Sequence, residues 1–109
     1  MTLVKKQTIF LINFAKLILW AQQNGFEGTA GELHRTDEQH AWNLKKGLSK
    51  ATRSKHQDRL AGDLNLFVKG VYQTTRTPYK PLADYWKTLH TDNRAGYDWG
   101  WDANHFEMT

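Results

Sequence analysis

The sequence predicts a single domain that mixes helices with short strands, a mixture compatible with an α+β fold. Three patterns carry the expectation. Apolar residues leave only a narrow polar stripe over a long N-terminal segment, alternate at period two from Leu60 to Val68, and return at helical spacing after Pro81. At 109 residues the chain is one domain, 1–109, large enough to bury most of its apolar surface without staples.

From about Leu3 to Asn24, a run including Phe10, Leu11, Ile12, Phe14, Leu17 and Leu19 leaves Lys6, Asn13, Lys16 and Gln23 as the polar stripe, which predicts a helix buried on most sides. Core packing is the expected use of its apolar surface, with a membrane-surface role as the alternative. Asn24-Gly25 stops it, because both residues tolerate the left-handed conformation. Phe26 to Leu33 reads as a glycine-broken strand. Thr36-Asp-Glu-Gln39 is a capping box opening a helix to about Lys46, closed by Gly47. In the strand that follows, Leu60, Gly62, Leu64, Leu66 and Val68 point one way while Ala61, Asp63, Asn65 and Phe67 point the other. Lys69-Gly70 turns the chain back through Val71-Tyr72. Pro81 suits the first turn of a helix whose core face is Leu82, Tyr85, Trp86 and Leu89, with His90 offsetting the dipole at its end. Asn93 to Gly100 is aromatic and punctuated by glycine, and His105-Phe-Glu-Met108 reads as a short final strand.

The absence of cysteine excludes disulfides, thiolate zinc ribbons and Cys nucleophiles, so any metal must be held by His, Asp or Glu. A net charge of +4 favours approach to polyanions, nucleic acid or an anionic cell wall among them. Lys45, Lys46, Lys50, Arg53 and Lys55 form the densest basic run, which taken alone reads as a solvated loop. No cleavable signal peptide is evident, and the N-terminal apolar stretch is too short and too interrupted to span a bilayer.

His56 and Asp63, then Asp102 and His105, offer a chemical constellation. Two imidazoles and one carboxylate are the ligand set of a catalytic zinc site that keeps a fourth position open, and metal-assisted hydrolysis needs a further acid beside it. The proposed division makes His56, Asp63 and His105 the ligands of one zinc ion and Asp102 the general base. Arg35, at an element boundary, then faces the developing oxyanion. Asp102 and His105 reach one metal only if the residues between them turn. With five His and eleven acidic residues present, spacing alone also yields chance pairs. Ser54 reads as a turn or cap residue rather than a nucleophile, and His34 and His40 as surface residues. Glu107 shares the strand face of His105, either as its hydrogen-bond partner or as a competing ligand.

Ser54-x-His56-x4-Ala61-x-Asp63, and later Trp99-Gly-Trp101-Asp102-x-Asn-His105-Phe-Glu107, resemble the D-alanyl-D-alanine carboxypeptidase metallopeptidases. More narrowly, they resemble the small L-alanyl-D-glutamate endopeptidases used as phage endolysins. The stretch around Arg35 is similar to that family's arginine-bearing segment, so the likeness runs from about residue 26 to the end. It implies an α+β fold of the hedgehog/DD-peptidase kind, a small antiparallel sheet bearing the zinc site with helices packed on its back. It also implies zinc on His56, Asp63 and His105, Asp102 as the base and Arg35 as the transition-state arginine. Arg59 departs from the family pattern, which has glycine there; the departure implies a changed loop shape or a partly closed cleft.

The function implied is a zinc metallopeptidase cleaving the peptidoglycan stem peptide between L-Ala and D-Glu, in an endolysin role. Ser54, Trp99 and Trp101 are substrate-binding candidates. A monomer is expected, with no nucleic-acid partner. It would be made in the cytoplasm without a signal peptide and act on the wall after release. One alternative keeps the site but trims terminal D-Ala as a carboxypeptidase or dipeptidase. Another is a non-catalytic wall- or nucleic-acid-binding module in which Tyr97, Trp99 and Trp101 stack on rings rather than fill the core.

Overall fold

A computed structural model describes residues 1–109 as an α+β domain. Helices α1 (Leu3–Gln23), α2 (Asp37–Lys45) and α3 (Lys80–Leu89) accompany strands β1 (Glu27–Ala30), β2 (Ala61–Val68), β3 (Val71–Tyr72), β4 (Asn93–Ala95) and β5 (His105–Met108). The sheet is antiparallel throughout, in the order β1-β2-β5-β4, with β3 paired to the far end of β2. Lys69 and Gly70 both take positive φ, the requirement of a two-residue hairpin turn that follows the twist of its strands.

Period-two alternation decides what each face of the sheet does. Leu64 and Leu66 of β2, with Phe106 and Met108 of β5, turn toward α1 and α3 and are fully buried. Trp86 of α3 is the centre of that layer. Phe10, Phe14 and Phe106 meet it edge-on, and its indole N–H donates to the carbonyls of Arg94 and Glu107, tying α3 to β4 and β5. Gly62 lets α1 approach closely, since a Cβ there would strike the Phe14 ring. Asp63, one residue on, faces away from the helices.

Thr36 caps α2 by accepting from the Gln39 N–H, but the Gln39 side chain donates to Asn43, so only half of the expected capping box forms. Thr2 caps α1 by accepting from the Lys5 N–H, and Pro81 sits in the first turn of α3. Two further expectations need correction. Helix α1 is buried along one face only, through Phe10, Asn13, Phe14, Leu17 and Ala21, whereas Val4, Leu11, Ile12, Ile18 and Leu19 are exposed. A small sheet and one flanking helix cover a single arc of α1. His90 does not sit against the dipole of α3; its backbone is extended and its Nδ1 accepts from the Asp92 N–H. Strand β4 has no sequence pattern of its own and exists through pairing with β5.

Candidate metal centre and active site

Register brings the first two functional groups together. Asp63 and His105 are directly opposed partners across β2 and β5, so their side chains are neighbours on the helix-free face. His56 comes from the turns preceding β2, where Ser54 Oγ accepts from the His56 N–H and the His56 carbonyl accepts from the Arg35 N–H. Ser54 is thus the turn residue that shapes this loop. His56, Asp63 and His105 each offer one ligand atom, and those atoms lie within 4.8 Å of one another.

The outer hydrogen bonds fix how the imidazoles point. His56 Nδ1 donates to the Leu33 carbonyl at 2.9 Å, leaving Nε2 as the bare nitrogen, 3.2 Å from Asp63 Oδ1. His105 Nε2 donates to Glu107 Oε1 at 2.7 Å, leaving Nδ1 3.3 Å from the same oxygen. Neither approach has hydrogen-bond geometry, and Asp63 Oδ1 is buried with no donor. Two imidazole nitrogens and a carboxylate oxygen converge on one point, which a proton on His105 holds in the metal-free site and a cation would take in its place. The donor set of two nitrogens and one carboxylate oxygen fits zinc. Glu107 lies behind His105, on the ring edge away from Asp63, and Arg94 holds its other oxygen at 3.1 Å. Its contact is with the His105 ring, and it is not among the three residues whose ligand atoms converge.

Burial alone would raise the Asp63 carboxyl, but contact with His105 and His56 outweighs it and holds the group at about 2. Burial would depress His105, yet Asp63, Glu107 and the charge of Asp102 outweigh it and bring the metal-free imidazole up to about 9. Asp102 follows the opposite balance. Burial first, then the charges of Asp63 and Glu107, raise its carboxyl against the pull of His105 and His56. Its Oδ2 is 3.7 Å from His105 Nδ1, close to the cluster but outside ligand contact. The expected turn is present, with the His105 N–H donating to the Asp102 carbonyl. Gly96 makes room for it, since a Cβ there would collide with that carbonyl.

These groups open into a cleft of about 420 Å³ that Arg35, Ser54, Trp99, Trp101 and Asp102 also line. Trp99 stands 5.9 Å from His105, and Trp101 is 69% exposed, so the two indoles wall the cleft rather than fill the core. Lys50, Arg53 and Lys55 border the same cleft, which gives the basic run a place at the site. Arg59 does not line it. Its φ is +58°, in the left-handed region that glycine favours, and its side chain borders a groove beside α1.

Two residues that matter to the site escape sequence reasoning. His40 is not a surface residue but 2% exposed, and with Glu32 it grips the Arg35 guanidinium. The signal that points to them is their spacing, three residues before and five after Arg35. His34 is exposed and takes no part.

The fold has a solved counterpart. The chain superposes on the crystal structure of the Serratia marcescens L-Ala D-Glu endopeptidase ChiX with a TM-score of 0.70, covering 87% of this chain and 77% of that one at 20% sequence identity. No protein-family model matches the chain, and no curated protein sequence does.

Proposed function

We propose that the protein is a zinc-dependent peptidoglycan peptidase that hydrolyses the stem peptide between L-Ala and D-Glu. The observation that carries this reading is the convergence of His56, Asp63 and His105 on one point, with Asp102 held beside it. The likeness of the fold to an L-Ala D-Glu endopeptidase supports the substrate class.

Zinc, when bound by the three ligands, polarises the scissile carbonyl and acidifies the attacking water. Asp102 takes one proton from that water as its oxygen adds to the carbonyl carbon. It returns the proton to the departing amine as the C–N bond breaks, leaving a carboxylate and a free amino terminus. Two of the five N–H groups of Arg35 hydrogen-bond to Glu32 and His40, and the guanidinium also lines the cleft, where its remaining N–H groups can meet the developing oxyanion. The basic border of the cleft attracts the carboxylates of the stem peptide. In this reading the protein works as a monomer with one zinc, without nucleic acid, on the wall after release from the cytoplasm.

Digestion of purified peptidoglycan tests the proposal, with product masses and new amino termini read with zinc, after chelation and with Asp102→Ala. New Glu amino termini that vanish in both controls are expected. Release of D-Ala alone would move the assignment to a carboxypeptidase, and failure to bind zinc would end the enzyme reading.

A further inference from the structure

Helix α1 carries an apolar face that the fold leaves bare. Val4, Leu11 and Ile18 fall seven residues apart with Ile12 and Leu19 beside them, and all five are between 41% and 67% exposed. At helical spacing they occupy an arc of about 120° opposite the buried side of the helix. An exposed apolar arc of this kind, with Thr8 and Gln22 the polar residues within it, marks a contact site on a small domain.

Its border identifies the contact. Lys5 and Lys16 lie together along one edge of the stripe, and α1 contains no carboxylate. Exposed Arg59 faces it across the groove that Val4 and Leu11 line. Apolar side chains bordered by three cations and, at the Ile18 end, by the single carboxylate of Glu27 match the headgroup region of an anionic bilayer. A second copy fits less well, because its own α1 would bring lysines against lysines with only Glu27, at the Ile18 end, to answer them. No helix is long and apolar enough to cross a membrane. Helix α1 therefore suits lying along the surface.

We propose that the outer face of α1 docks the protein on anionic phospholipid, with Lys5, Lys16 and Arg59 meeting the headgroups. The geometry also sets the orientation. Phe14 of α1 packs on Gly62 at the back of the sheet, while Asp63 faces the other way, so a protein seated on α1 turns its cleft away from the bilayer.

The test is flotation of the full chain with vesicles of phosphatidylcholine alone or with about 30% phosphatidylglycerol. Binding is expected to be at least about tenfold stronger to the anionic vesicles and to fall with salt. A Leu11→Gln, Ile18→Gln double variant should lose it by a similar factor, and Lys5→Gln with Lys16→Gln should lose the anionic preference. All four positions are exposed, and unchanged circular dichroism and zinc affinity would show that the variants fold. The readout needs no peptidase activity, so it stands or falls apart from the proposed chemistry. Absence of binding, or binding indifferent to Leu11 and Ile18, would overturn the proposal. A dimer in sedimentation that the double variant dissolves would assign the face to a second copy instead.

Discussion

Arg35 donates from Nη1 to Nδ1 of His40 at 2.9 Å, and the Ala51 carbonyl lies 2.8 Å from Nε2 of the same ring. A carbonyl only accepts, so Nε2 carries the proton and Nδ1 is free to receive the guanidinium N–H. Glu32 holds the other edge of Arg35 at 2.8 Å from Nε. The arginine that faces the cleft is therefore set in place from both sides by neutral and acidic partners. His40→Ala should lower kcat on peptidoglycan by about ten- to hundredfold, the scale of a small misplacement of a catalytic group. Zinc affinity should be unchanged. Parallel loss of zinc binding would show that His40 serves the fold rather than the arginine.

Glu107 accepts from the His105 ring, so under the proposed zinc site its removal should be felt as affinity. Glu107→Gln keeps the volume and weakens the acceptor that fixes the ring, and should weaken zinc binding by about ten- to hundredfold in calorimetric titration. Asp63→Asn, which takes away the anionic ligand itself, should weaken it further. An equal or larger effect of Glu107→Gln would mean that Glu107 ligates directly.

Proton linkage gives a third prediction. The imidazole of metal-free His105 is raised from 6.5 to about 9, so its interactions stabilise the metal-free fold fully below pH 6.5 and are lost as pH rises through 9. Asp63 is lowered from 3.8 to about 2, so its share is present above pH 3.8 and lost as pH falls through 2. A metal needs the nitrogen that this proton occupies. Zinc binding should release about one proton at pH 7 to 8 and none well above pH 9, measurable by calorimetry in buffers of different ionisation enthalpy. Glu107→Gln, which removes one of the contacts that raise His105, should lower the pH at which the release ends; an unchanged profile would assign the proton elsewhere.

What the sequence made legible follows from where its information lies. The outward face of Asp63 was readable because strand alternation is local, and the turn after Asp102 because Asp and Asn favour turns. The meeting of Asp63 with His105 was not readable from periodicity, since it depends on the register of strands about forty residues apart. Resemblance supplied that pairing. Strand β4 was missed because Asn93, Arg94 and Ala95 have little strand preference of their own. Helix α1 misled because it is apolar nearly all round, and the width of the sheet, which no local pattern encodes, decides which side is covered. His40 was misread because a polar residue on a weakly amphipathic helix looks solvent-facing until the loop carrying Ala51 folds over it.

Arg59 yields the last prediction. Its φ of +58° is the backbone that the resemblance assigns to glycine, and a side chain there costs about 1–2 kcal/mol relative to glycine's freedom. Part of that gain is offset, because glycine loses more backbone entropy on folding, by about 0.5–1 kcal/mol. Arg59→Gly should therefore raise stability by up to about 1.5 kcal/mol, read as a higher denaturant midpoint. Because the side chain borders the α1 groove and not the cleft, zinc affinity and stem-peptide cleavage should remain at the wild-type level. A gain in cleavage rate without a gain in stability would place Arg59 over the cleft during turnover.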